Sequence, residues 1–171
     1  MSEVTVKGIY RDRLFDSRGD EIFDSGWKSN LIVTRCRILL GSFMHNESSA
    51  KGIQALRVGQ GDPLWDTSPI PPPDPGLDKL VDPAPFIIPL ESLGIQYLND
   101  SDDVVSDQKT SRIQIVATLG PNQPIAGTYK LREFGLFGEL NEEPWMIDYI
   151  RHPLIEKSGS VTLERRIRLI F

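Results

Sequence analysis

The chain is poor in the residues that usually do chemistry. It has 171 residues, a single cysteine, Cys36, and two histidines, His45 and His152. A disulfide within the chain is therefore excluded, and no Cys–His pairing or His-x-x-x-His spacing supplies a metal-ligand set. Cys36 lies in an apolar segment and reads as a small buried hydrophobe, in a chain made in a reducing compartment. Long apolar runs are also missing. None approaches the ~18–20 residues that a membrane-spanning helix needs, and Met1 to Val6 has neither the basic nor the apolar region of a secretion signal. Nor is there a cation excess, since the net charge is −5. That balance argues against wrapping nucleic acid by counterion release. Neither a membrane nor a nucleic acid is an expected partner.

What is present is the composition of a folded domain, with 39% hydrophobic and 25% charged residues. The length suffices for one domain with a core, with or without an ordered arm. Apolar residues alternate through 4–15 (Val4, Val6, Ile9, Leu14), and 16–20 is a turn cluster ending in Gly19-Asp20. Residues 21–27 then resume a strand pattern, so 1–29 is expected to be a β-hairpin arm. A lone hairpin is marginal in water, so this one needs a partner. In 31–44, Ile32, Val33, Cys36, Leu39, Leu40 and Phe43 fall at helical spacing, with Ser29 or Asn30 placed to cap. This is the one main helix.

Residues 53–59 alternate as a strand and run into Gln60-Gly61-Asp62-Pro63. Gly59 and Gly61 are followed by neither a Lys-Ser/Thr pair nor a helix, which removes the phosphate-loop reading. The segment 63–89 holds most of the prolines, among them Pro69, Pro71, Pro72, Pro73 and Pro75. It cannot donate ladder hydrogen bonds and is too long for an ordinary connection. It is expected to be a functional arm or a loop wrapped over a neighbour, with Trp65, Leu77 and Leu80 anchoring it to this subunit or the next. The aspartates at 100, 102, 103 and 107 read as a solvated loop, because the glycine and closing glutamate of a calcium loop are missing.

Four strand patterns follow at 111–119, 128–137, 145–154 and 161–171, joined by short turns and expected to form an antiparallel meander. In the last, Leu163, Arg165, Ile167 and Leu169 share one face. Arg166 and Arg168 take the other, so these arginines do not make one patch. Glu133 lies inside an apolar strand and must meet an arginine or a row of backbone amides. The fold class is α+β, mainly antiparallel β, as a sheet or sandwich with one helix packed on it. A hydrolase would need His45 or His152 beside a nucleophile, and the Gly-x-Ser-x-Gly turn is absent. The chain is not expected to be an enzyme, and no cofactor or metal is expected.

One resemblance stands out. The helix after Asn30, Val58-Gly59-Gln60-Gly61, the Pro63 to Thr67 segment and the strand Arg132-Glu133-Phe134-Gly135-Leu136-Phe137 follow in order. Over 30–171 the chain resembles the N-terminal domain of phage tail-collar fibre proteins and related tail or baseplate proteins. The resemblance implies a structural virion component of a phage, or phage-like contractile, tail. It would be made in the host cytoplasm and placed at the baseplate, collar or fibre base. It would form a homo-oligomer of trimer or ring symmetry and contact tail fibres and other tail, baseplate or neck proteins. The assembly residues would be Arg132, Glu133, Gly135, Phe137, Gly59, Gly61, Trp65, Pro71, Pro72 and Pro73. The added hairpin and the proline-rich insertion point, within that group, to an adaptor, baseplate or neck component. The alternative is a receptor- or glycan-binding β-sandwich of a tail fibre, with Trp27, Trp65 or Trp145 lining a shallow groove.

Overall fold

The computed structural model describes residues 5–171; Val4, counted above into the first strand, lies outside them. The chain order is β1 (Lys7–Phe15), β2 (Glu21–Asp24), β3 (Lys28–Ser29), β4 (Leu31–Ile32), α1 (Thr34–Met44), β5 (Ala50–Gly59), a 3₁₀ turn (Pro63–Asp66) and β6 (Phe86–Pro89). A second 3₁₀ turn (Leu90–Ser92) leads to β7 (Gly94–Leu98), β8 (Val104–Val105), β9 (Arg112–Leu119), β10 (Tyr129–Leu140), β11 (Glu143–Lys157) and β12 (Thr162–Ile170). The fold is mainly antiparallel β with one helix, in two sheets. The first has seven strands in the order β2-β1-β12-β9-β7-β8, with β3 also pairing β1, and the second has five in the order β4-β11-β10-β5-β6.

Alternation decides which side of each strand is buried. In β1, Gly8, Tyr10, Asp12 and Leu14 point in, and in β12 Leu163, Arg165, Ile167 and Leu169 do so. Against them the second sheet sets Leu56, Val58, Leu131, Phe134, Leu136 and Ile150, making one core between the sheets. The expected hairpin is present. Its turn is closed by Asp16 and Asp20, with Gly19 at φ +84°. Its partner is within the chain, because β1 pairs β12 from Lys7↔Ile170 to Phe15↔Thr162. Within residues 7–29, β1, β2 and β3 are all strands of the first sheet.

Two expectations are corrected. The helix begins at Thr34, one turn late, with Val33 as an N-cap that makes no side-chain cap bond. Leu31 and Ile32 instead pair with Tyr149 and Asp148 of β11. Asn30 does not cap; its Nδ2 donates to Asp148 Oδ2 at 2.6 Å. β-branched Ile32 and Val33 suit an extended backbone at least as well as a helical one.

The four-strand meander is also wrong. β9 pairs β12 and β10 pairs β11, so the chain crosses between sheets after β9 and again after β11. The two crossing loops hold each other: Asn122 N–H donates to the Gly159 carbonyl and Lys157 Nζ to the Gly120 carbonyl, both at 2.8 Å. A short polar turn reads the same whether it closes a hairpin or bridges two sheets. The difference lies in burial, because β9 has one half-exposed face whereas β10 is buried on both.

Candidate functional site

The outer face of β10 is buried because the proline-rich segment lies on it. Val33, Leu80, Phe137, Met146 and Tyr149 form a second apolar cluster there, with Leu31 and Leu77 packed against it. The segment is therefore a strap over its own subunit, the first of the two placements open to its anchors. Its anchors act within the chain: Trp65 and Leu80 are buried and Leu77 half-buried.

Two adjacent residues of β10 hold the strap. Glu133, 0% exposed, accepts from the backbone amides of Val81 at 3.0 Å and Asp82 at 2.7 Å, and from the Tyr149 hydroxyl. This is the row of amides that a buried carboxylate demands, and it disperses the charge without a cation in contact. Burial and that carboxylate both push the Tyr149 phenol up. Arg132 makes a fork to Asp66, Nε to Oδ1 at 2.9 Å and Nη2 to Oδ2 at 2.6 Å, and Nη1 donates to the Gln60 carbonyl. Hydrogen bonding to the guanidinium holds the Asp66 carboxyl below its ordinary range. The β-ladder skips between Leu131 and Glu133, which lets these neighbours both work on the strap.

The glycines flagged in the sequence fit around this clamp. A Cβ at Gly59 would lie 2.8 Å from Glu133 Oε1 and 2.9 Å from Asp82 Cβ. Gly61, at φ +59°, leaves room for the Trp65 ring, 2.4 Å from where its Cβ would stand. Gly135 would meet the Asp148 carbonyl at 2.9 Å, and Phe137 packs with Leu80. Pro71 and Pro72 stay exposed and Pro73 is half-buried. Further bonds pin the strap from the side: Arg151 Nη1 donates to the Pro71 carbonyl at 3.2 Å and Thr34 N–H to the Pro75 carbonyl at 2.9 Å. The structure thus gathers all ten candidate residues in and around one strap.

Each of the three tryptophans gives a ring face to a guanidinium: Arg168 over Trp27 at 4.1 Å, Arg151 over Trp65 at 4.7 Å and Arg35 over Trp145 at 4.1 Å. Asp102, in the acidic loop, is ion-paired with Arg112 and Arg168.

Sequence reasoning missed a polar cluster between the sheets. Arg165 of β12 is 2% exposed and makes a fork to Asp12 of β1, at 2.7 and 2.8 Å. Its Nη2 also lies 3.1 Å from His152 Nε2 on β11, and its guanidinium stacks over Phe134 at 3.9 Å. Burial, then the Arg165 charge, pushes His152 down to about 4. Asp148 is 0% exposed and accepts from Leu136 N–H and Asn30; burial pushes it up to about 7. The inward position of Arg165 was the available signal, together with Asp12 at an inward position of β1. His45 is exposed beside Glu47.

No family model, curated protein or solved structure matches the chain.

Proposed function

We propose that the chain is a structural component of a phage or phage-like contractile tail. It would assemble as a homo-oligomer at the baseplate, collar or fibre base and anchor fibres or neighbouring subunits. The observation that carries this reading is the clamp. Arg132 and Glu133 are spent on fixing a proline-rich strap to its own sheet, leaving Pro69, Pro71 and Pro72 exposed on a held backbone. A pre-ordered, exposed segment loses little entropy when a partner binds it, which suits a fixed joint in a large assembly. The same Arg132 to Phe137 stretch carries the resemblance to tail-collar fibre domains. The glycan-binding alternative has less support, since one face of each tryptophan is already covered by an arginine.

The test is to tag the chain in the strain that encodes it and separate tail particles on a density gradient. Co-sedimentation with particles, together with fibre-less or incomplete tails in a deletion strain, is the expected result. A tagged chain found only in the soluble fraction, with normal tails in the deletion strain, would reject the proposal.

A further inference from the structure

We propose that the cavity beside α1 is a binding site for a neutral, apolar small molecule, roughly the size of two fused rings. Such binding is independent of any place in a tail. The cavity holds about 280 Å³ and is walled by α1 and by both sheets. Leu39 of α1, Ile147 of β11 and Leu169 of β12, all buried, belong to its wall.

Two irregularities leave this room unfilled. The first is in β7. Ile95 and Tyr97 pair with Ile115 and Ile113 of β9, so they share the face that β9 turns to the core. Ile115 is 0% exposed, yet Ile95 and Tyr97 remain 41% and 38% exposed. The core face of the first sheet thus runs on past the protein that covers it.

The second irregularity is in β5. Its ladder with β10 steps from Phe137↔Ala55 to Glu139↔Lys51, so Gly52, Ile53 and Gln54 stand opposite Gly138 alone. Extra residues bend a strand, and Gly52 and Ile53 of this one line the cavity. Neither the backbone nor a neighbour requires glycine at 52. Its φ is not positive, and a Cβ there would meet no atom within 4 Å. A strand glycine with no steric cause marks a place where something else comes close.

The walls select the occupant. No Lys, Arg, His, Asp or Glu is among the lining residues, so an ionised ligand would lose its hydration and gain no counter-charge. The polar side chains are Gln96, Tyr97 and Cys36, and burial pushes the Cys36 thiol up to about 11, so it stays uncharged. Gln96 and Tyr97 are exposed, where they can hydrogen-bond one hydroxyl or carbonyl of a ligand whose apolar part lies inside. An apolar cavity of about 150 Å³ takes up benzene, so roughly twice that room suits two fused rings or a medium-length alkyl chain. A partner protein would need a face of about 800 Å². A recess closed by a helix and two sheets suits a guest of its own size.

The experiment titrates 2-naphthol into the full chain and follows the fluorescence of the probe, with 2-naphthoate as an ionised probe of the same ring size. The parent is compared with Gly52→Leu and Ile95→Trp, each checked for folding by circular dichroism. The first variant puts a side chain into the open space at residue 52, and the second narrows the cavity from the opposite sheet. If one variant fails to fold, the other decides. The parent should bind 2-naphthol at one site and 2-naphthoate at least about tenfold more weakly, and each variant should weaken 2-naphthol binding by at least about tenfold. A parent that binds neither probe would overturn the proposal. So would 2-naphthol binding unchanged in the folded variants, which would put the site elsewhere. Equal affinity for the two probes would overturn the neutral class of ligand. None of these results bears on co-sedimentation with particles, so the tail reading stands or falls separately.

Discussion

Asp12 and Arg165 form a two-point ion pair in the space between the sheets, with side chains 1% and 2% exposed. Asp12 comes from the N-terminal hairpin and Arg165 from the last strand, so the pair fixes the register of β1 against β12. A buried pair gives little net stability against an apolar pair of the same volume, but breaking it strands a charge. Asp12→Ala should therefore cost about 3–5 kcal/mol. The double variant Asp12→Leu with Arg165→Met should recover most of that loss. Urea unfolding of the three proteins checks this. Equal losses in the single and double variants would mean that the pair is solvated.

Glu133→Gln keeps one carbonyl oxygen for the strap but loses the charge and the second acceptor. The amides of Val81 and Asp82 then compete for one oxygen, and the cost should be about 1–3 kcal/mol. Hydrogen exchange should quicken at those two amides first. Gly59→Ala should produce the same local pattern, because its methyl would press on the Glu133 carboxylate and Asp82. Unchanged protection at 81–82 in both variants would show that the carboxylate does not hold the strap.

Asp148 and His152 should give opposite pH dependences. Asp148, pushed up to about 7 from 3.8, holds its proton more tightly in the folded chain, so it costs stability as pH rises between those values. His152, pushed down to about 4 from 6.5, binds its proton less tightly when folded, so it costs stability as pH falls through that window. The two slopes offset each other over most of the same range. Asp148→Asn removes one of them. Its oxygen can still accept from Leu136 N–H, and once the Asn30 amide turns over, exchanging its donor for the buried, unpartnered Oδ1, the new amide can donate to that oxygen. The variant should be more stable than the parent near pH 8, by up to about 4 kcal/mol, with the gap closing towards about pH 4. Parallel pH–stability curves for parent and variant would contradict this assignment.

Local pattern made some of this architecture legible. The alternation in β1, β9 and β12, the Asp16–Asp20 turn and the helix stripe from Cys36 onward follow from period and turn chemistry. A carboxylate inside an apolar strand announced that Glu133 needs donors. The donors themselves were not readable, since they are backbone amides 51 and 52 residues away, at Asp82 and Val81. The pairing of β9 with β12 was hidden for a related reason: the loop at 120–128 looks like any turn until Lys157 and Gly159 are placed against it. Pro71 to Pro73 declared an extended segment, but not which surface it covers. That depends on Leu80 finding Phe137 and Tyr149. Helix onset failed where β-branched residues satisfied two patterns at once.

The strap gives a prediction that separates stability from assembly. Leu80 sits 5% exposed among Val33, Phe137, Met146 and Tyr149, so Leu80→Ala should cost about 2–5 kcal/mol and loosen the strap. Pro71, Pro72 and Pro73 make few such contacts, and their replacement by alanine changes mainly chain stiffness, about 0.4–1 kcal/mol at each site. The triple variant Pro71→Ala, Pro72→Ala, Pro73→Ala should therefore stay folded, with a modestly lower Tm and intact protection at 81–82. If the strap is the surface a partner reads, the same variant should fail to enter particles in the density-gradient assay. Normal incorporation would show that the exposed prolines are not the contact. Loss of both stability and incorporation would instead mean that the prolines hold the strap closed, a role the structure assigns to Leu80, Glu133 and Arg132.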